Sequence, residues 1–493
     1  MEAFNELLST VDGWLGWLLL FALLPLGLYF TVRTGVVQLR LLPEMFRVIK
    51  EPAGRDAEGN KNISPFRAFS ISAASRVGTA NIAGVALAIS VGGPGALFWM
   101  WVTAIVGGAT AFVESTLGQL YKVKDGAAFR GGPAYYIARG LKSPWLGSVF
   151  AVIVIVTYGI VFNTVQSNSI VDALSTSFDM DAPTFGFKAI IGIVLGIAGL
   201  AIFLGGVQRI SNVTAFIVPV MAILYLFLGI LVVIANLSAV PPMLALIVQQ
   251  AFTMESISGA AFGVIITQGI KRGLFSNEAG IGSVPNAAAT ASASHPAKQG
   301  LVQALGVYFD TILVCSITGF IVLLSNPEYD EAVGAQLTQT ALAAQLGPWA
   351  VHFLTIAIFF FAFSSIIGNY YYGESNLEFI TKSRGAMLTY RLVVMASVFI
   401  GAVIALETVW TAANIFMAIM AIINLFAVVM LSEKAFKLLK HYTEQRRSGK
   451  APIFNQKDFP EFDGVTAWDG TDEVTTREFW ENQRQKKADK KNS

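Results

Sequence analysis

The sequence predicts an all-α polytopic membrane protein of about eleven transmembrane helices, and three observations carry that prediction. Of its 493 residues, 54% are hydrophobic and only 13% are charged, roughly half the charged share of an ordinary soluble domain. The charges are segregated, so long stretches carry almost none, and only a helix of roughly 20 apolar residues satisfies such a backbone inside a bilayer. Successive loops also alternate between basic and acidic.

Apolar runs and breakers place the spans at 14–33, 66–91, 96–121, 145–171, 186–206, 211–236, 257–292, 299–324, 349–380, 387–406 and 409–437. The first has the length of a signal-peptide core. Met1 to Gly13 holds Glu2, Glu6 and Asp12 but no Lys or Arg, and no cleavage site follows, so it reads as a retained helix. Val36 to Lys50 mixes Leu39, Leu42, Met45, Phe46 and Ile49 with basic residues and predicts an interfacial helix. Two spans, 257–292 and 349–380, are too long for one simple crossing, so they are interrupted, tilted or extended beyond the bilayer. Pro241 to Phe252 and Glu331 to Leu346 read as external helical loops, and the polar chain from Lys434 on, with Pro452 and Pro460, as a solvated tail. The organisation is then 1–65 for the external N-terminus, extra helix and interfacial helix, 66–437 for a ten-helix core, and 438–493 for the tail.

Orientation follows from the loops. Residues 1–13, 172–187, 237–255 and 325–348 lack Lys and Arg and hold Asp179, Asp181, Glu328, Asp330 and Glu331. Alternate loops carry Arg40, Arg47, Lys50, Arg55 and Lys61, then Lys122, Lys124, Arg130, Arg139 and Lys142, then Arg209, Lys298, Lys382 and Arg384. Basic loops lie in the cytoplasm, which puts the N-terminus outside and the C-terminus inside the cell membrane.

Inside the second span, Ser75-Arg76-Val77-Gly78-Thr79-Ala80-Asn81-Ile82-Ala83-Gly84 crowds small and polar residues between apolar flanks. Glycine weakens a helix and an Asn at membrane depth needs partners. Such a stretch is either a break that frees carbonyls for a cation and amides for a carboxylate, or a close helix contact through small residues. Gly273-Leu274-Phe275-Ser276-Asn277-Glu278-Ala279-Gly280-Ile281-Gly282 repeats the pattern in the seventh span. Two broken helices five spans apart are expected of two five-helix repeats of inverted topology, with 14–33 outside the pair. Lys271 and Arg272 precede the second break at an awkward depth and are compatible with a shifted boundary.

These stretches, with Gly92-Gly93-Pro94-Gly95-Ala96-Leu97-Phe98-Trp99-Met100-Trp101, Gly131-Gly132-Pro133-Ala134-Tyr135-Tyr136-Ile137 and Tyr370-Tyr371-Tyr372-Gly373-Glu374, resemble the alanine or glycine:cation symporter family. The resemblance covers the chain from the first span to the last. It implies a LeuT-like fold, import of a small neutral amino acid such as alanine or glycine, a sodium or proton gradient as driving force, sodium as coupling ion, no cofactor and a monomer. It also implies site residues. Gly78, Thr79, Ala80 and Asn81 would receive the substrate carboxylate, with Gln166, Phe275, Ser276, Asn277, Ser365 and Asn369 around the substrate. Ser364 and Ser365 would hold sodium together with the carbonyls of Ala74 and Val77. Read without the resemblance, Asn163, Gln166 and Asn168 are alternatively an interhelical hydrogen-bond seam, and serines in a membrane helix more often bond their own backbone.

Departures from the family pattern refine the expectation. Position 80 is Ala where Gly is usual, and position 369 is Asn where Trp is common. Losing an indole enlarges a pocket and the amide adds a donor and an acceptor, which points to a substrate larger or more polar than alanine, glutamine being one candidate. Asn414 and Ile423 replace a common Asp and Pro, with no account from sequence. Arg76 falls where a second cation sits in related folds, which argues for a single sodium; Glu114 and Glu278 are candidate ion-pair partners or proton sites.

Other classes fit poorly. The net charge of +2 gives no footprint for nucleic acid, and the single cysteine, Cys315, excludes an internal disulfide and a thiolate cluster. His295, His352 and His441 are scattered, and no metallohydrolase, nucleophile-elbow or P-loop spacing occurs, so an enzyme is not expected. An ion channel is the serious alternative, because broken helices also build selectivity filters.

Overall fold

The computed structural model describes residues 2–55, 59, 61–126, 128–326, 334–404 and 406–492. The acids Glu328, Asp330 and Glu331, used above for loop charge, lie outside them. Among the described residues, nine helices are long and apolar enough to cross a membrane, and a pair of helices bent by 62° makes a tenth when counted as one span.

Helix α1 (Glu2–Arg33) is followed by a left-handed residue, Val36, and two short helices, α2 (Val37–Arg40) and α3 (Leu42–Val48). The predicted interfacial segment is thus helical with one kink. Ser64 caps α4 (Pro65–Arg76) by accepting the Arg67 amide at 3.3 Å, with Pro65 in the first-turn position that tolerates it. The chain then unwinds at Val77 and Gly78, makes one 3₁₀ turn (Thr79–Asn81), and resumes as α5 (Ala83–Gly92).

Helix α6 (Gly95–Leu120) leads to a hairpin of β1 (Val123–Asp125) and β2 (Ala128–Arg130), paired antiparallel with Val123 opposite Arg130. The hairpin was not foreseen; three charges in a short loop masked it. Next come α7 (Pro133–Gly140), α8 (Pro144–Val156), a π-helical turn (Thr157–Val161) and α9 (Phe162–Ser177), the last three forming one span. Helices α10 (Phe185–Phe203) and α11 (Gly206–Ala235) follow, then the short α12 (Val240–Gln250).

The predicted seventh span, 257–292, is α13 (Phe262–Asn277) and α14 (Val284–Ala289), neither long enough to cross by itself. The break falls later than the sequence suggested. Gly273 to Asn277 remain helical, and the chain unwinds at Glu278, which takes a left-handed φ of 55° before Gly280 and Gly282 at 86° and 87°. Two glycines free of a Cβ penalty carry the turn, while Gly273 serves close packing on Met100 and Thr103 of α6.

A single span combines α15 (Pro296–Val307), a second π-helical turn (Tyr308–Cys315) and α16 (Ser316–Leu324). After α17 (Gly334–Leu346) come α18 (Trp349–Ile380), α19 (Arg384–Val403) and α20 (Leu406–Arg447), which extends past the predicted limit at 437.

The expected solvated tail is corrected. Residues 451–475 fold back on one end of the helix bundle and bury Phe454, Phe462 and Trp468. Trp468 donates its indole N–H to the Gln119 carbonyl at 3.1 Å, the Phe454 amide bonds to Ser294 O at 2.8 Å, and Asp472 accepts from the Ser292 hydroxyl at 2.9 Å. Three aromatic anchors in a charge-rich segment suffice to seat it. A last helix, α21 (Arg477–Asn492), follows.

Candidate functional site

The site grows from the two breaks. At the first, the Gly78 amide donates to Asn81 Oδ1 at 3.0 Å and the Thr79 amide to Gln166 Oε1 at 3.2 Å. An unwound backbone exposes amides with no helical partner, and here carboxamide oxygens satisfy them. Gln166 comes from α9, and it is 2% exposed. Ala80 is buried beside Gly84 and the indole of Trp410.

Helix α18 closes on this break because Gly368 lacks a Cβ; one built there would lie 2.7 Å from the Ser75 nitrogen. That approach delivers Ser365 and Asn369. The Ser365 hydroxyl lies 2.8 Å from the Ala74 carbonyl and 3.2 Å from that of Ser75. Ser365 and Ala74, two of the expected sodium ligands, therefore meet. Ser364 does not join them: its hydroxyl bonds Phe361 O at 2.9 Å and faces the Met221 sulfur at 3.5 Å on α11. Val77 caps α4 and is fully buried.

Asn369 accepts from Ser75 Oγ at 2.7 Å and donates to Asn163 Oδ1 at 3.2 Å. The same Ser75 hydroxyl sits 3.1 Å from Glu278 Oε1 in the second break, and Ser283 donates to Glu278 Oε2 at 2.7 Å. Asn369 and Glu278 are thus linked through one serine. The two readings of the α9 polar residues divide between them: Gln166 reaches the first break, Asn163 meets Asn369 of α18, and Asn168 binds the carbonyls of Gly401 and Ile404 on the α19 side.

Phe275 stacks on Phe162 with centroids 4.6 Å apart and tilts against Trp410 at 5.1 Å. Arg272 lies over the same indole at 4.9 Å, and Lys271 pairs with Asp12 of α1 at 3.0 Å. Asn414 donates to that Asp12 at 3.4 Å, which gives it a role the sequence did not. Asn277 caps the unwound turn, its Oδ1 accepting the Ala279 amide at 3.0 Å.

Among the described residues Arg76 makes no ion pair with Glu114 or Glu278, against the pairing considered above. Its guanidinium turns to α15, bonding Gln303 and, at 3.2 Å, Ser72 Oγ. Glu114 instead accepts the Gly280 amide at 3.0 Å and Asn424 Nδ2 at 2.8 Å, so it braces the second break.

Asp310 is the residue that sequence reasoning missed. It is fully buried on the second π-helical turn, where Asn81 Nδ2 donates to Oδ1 at 2.6 Å and the hydroxyls of Ser276 and Thr311 bond Oδ2. Ser276 therefore reaches Asp310 and Asn81 together. Cys315, on the same turn, places its sulfur 3.0 Å from Ser276 Oγ. A carboxylate within an apolar span is a functional signal, and Asp310 in 299–324 carried it.

Two helices broken side by side, with buried amides, hydroxyls and carboxylates between them, define a multi-pass membrane transporter. The fold agrees: the crystal structure of MhsT in complex with L-phenylalanine superposes with a TM-score of 0.52 at 12% identity, covering 78% of this chain and 98% of that one. The chain belongs to the sodium:alanine symporter family, whose profile matches residues 1–456. Relatives include the amino-acid carrier protein AlsT of Bacillus subtilis, 49% identical over 95% of this chain and 99% of that protein. The probable sodium/glutamine symporter GlnT of the same organism is 47% identical over 93% and 94%. The sodium/alanine symporter AgcS of Methanococcus maripaludis is 37% identical over 90% and 98%.

Proposed function

We propose that this chain is a sodium-coupled symporter that imports a small neutral amino acid by alternating access, built as two inverted five-helix repeats behind α1. The repeats would begin at α4–α5 and α13–α14, and the basic loops and the docked tail would mark the cytoplasmic end.

One observation carries the reading. The Gly78 and Thr79 amides point at carboxamide oxygens of Asn81 and Gln166, and a substrate carboxylate would take the same donors in charge-assisted bonds. Ser365 Oγ and the Ala74 carbonyl, 2.8 Å apart, are hard neutral oxygens of the kind that suit an alkali cation. Asn369 between Ser75 and Asn163 offers an amide to a polar side chain, which favours glutamine beside alanine and glycine, in line with the relative named as a probable sodium/glutamine symporter.

The test is uptake of radiolabelled alanine and glutamine into proteoliposomes with and without an inward sodium gradient. Saturable uptake that needs sodium and is competed by glutamine is expected. Ion conductance without added amino acid would replace the symporter by a channel, and sodium-independent uptake driven by a proton gradient would favour the second reading. That second reading rests on Glu278 and Asp310, the buried carboxylates beside the breaks.

A further inference from the structure

An apolar groove of about 590 Å³ runs between the interfacial helices and the span that contains the second π-helical turn. Leu39, Leu42 and Phe46 form one wall, and Leu305, Phe309 and Leu313 the other. Its volume falls in the range of pockets that hold small ligands, roughly 300–1,000 Å³. Phe46 and Leu313 are half-exposed at its rim, so the groove opens sideways, toward the lipid.

Phe46 also lines a second cavity, of about 710 Å³, of opposite character. Arg47, Lys50, Arg446, Lys450 and Arg484 surround it, against one acid, Glu51. Arg47 pairs with Glu44 and Glu51, Arg446 with Glu44 and Lys298 with Glu51, so these two acids already serve three cations. The ammonium groups of Lys50 and Lys450 are exposed and have no ion-pair partner among the described residues. Two cavities thus share one aromatic wall, one apolar and facing the membrane core, the other cationic and beside the docked tail.

We propose that this composite site binds one anionic phospholipid, its phosphate between Lys50 and Lys450 and one acyl chain in the groove. A headgroup alone would leave the apolar groove unfilled, and a zwitterionic lipid would leave the two lysines uncompensated. The π-helical turn gives the lipid a route to transport. Its one face, Phe309 and Leu313, lines the groove, while Asp310 on the other accepts from Asn81 of the first break and is itself bonded by the Thr311 hydroxyl. Filling the groove fixes the turn that positions the break.

Full-length protein in nanodiscs of phosphatidylcholine, with or without phosphatidylglycerol, tests this by native mass spectrometry and by uptake in matching liposomes. Retained phosphatidylglycerol and faster uptake in its presence are expected. The double substitution Lys50→Gln, Lys450→Gln should cut retention about thirtyfold, given roughly 1 kcal/mol per basic residue at an anionic surface. Leu313→Trp should lower retention of long-chain phosphatidylglycerol while a short-chain form still binds. Equal retention of phosphatidylcholine, unchanged retention in the double variant, or displacement by inorganic phosphate would each overturn the proposal. Because Lys50 and Lys450 are exposed, an unchanged melting temperature separates lost binding from lost folding.

Discussion

Asn369 shows how much a single side chain decides. Its amide accepts from Ser75 and donates to Asn163, so it ties α18 and α9 to the first break, and through Ser75 to Glu278 in the second. Both its oxygen and its nitrogen are engaged, and one N–H remains for a substrate, which matters because an unsatisfied buried amide costs about 1–3 kcal/mol. Asn369→Trp is therefore expected to abolish glutamine competition while alanine uptake persists, read as the ratio of the two half-inhibition concentrations. Ser365→Ala removes the hydroxyl beside the Ala74 carbonyl; the half-saturating sodium concentration should rise about tenfold, the equivalent of one hydrogen bond to a charged species, with the amino-acid competition order unchanged.

At the scale of elements, the breaks and the tail work through unlike physics. Each break exists because small residues and glycine make helix costly and because side chains from distant helices take over the freed peptide groups, as Gln166 does for Thr79 and Glu114 for Gly280. The tail holds by aromatic burial around Lys122. That ammonium is buried, lies 3.8 Å from the Phe129 ring and 4.4 Å from Trp468, and bonds Ala291 O at 2.9 Å. Burial pushes its pKa down to about 7, with Asp472 pulling the other way. Between pH 7 and the unfolded value near 10.5, the unfolded chain then binds more protons than the folded one, so this lysine adds stability as pH rises. The melting temperature of the native protein minus that of Lys122→Met should increase from pH 7 to pH 10; a gap that is flat or shrinks would mean that the rings hold the ammonium charged throughout.

For the whole molecule the question is which end faces which compartment. The tail, the β-hairpin and residues 291–298 gather at one end, where Lys124 pairs with Asp469 and Lys142 with Asp463. Asp179 of the loop between α9 and α10 and Lys188 of α10 line a polar cavity elsewhere. With basic loops inside, Asp179→Cys should react with a membrane-impermeant maleimide on intact cells, and Lys457→Cys only after permeabilisation. The native Cys315 is fully buried, so it contributes no background in the folded protein. The reverse pattern would invert the topology.

The sequence by itself determined the membrane-spanning class, the start of each long apolar helix to within about five residues, and the site of the first break. All of these are local: apolar run length, breakers and loop charge are properties of neighbouring residues. It also led to Gln166, Ser365 and Asn369, through a resemblance carried by motifs. Tertiary structure alone decided the rest. It moved the second break to Glu278, turned Ser364 toward Met221 and Arg76 toward Gln303, seated the tail, and joined Asp310 to Asn81 across 229 positions of chain. A buried polar group is satisfied by whatever packing brings within about 3 Å, and that partner is set by how helices cross, which no stretch of neighbouring residues encodes.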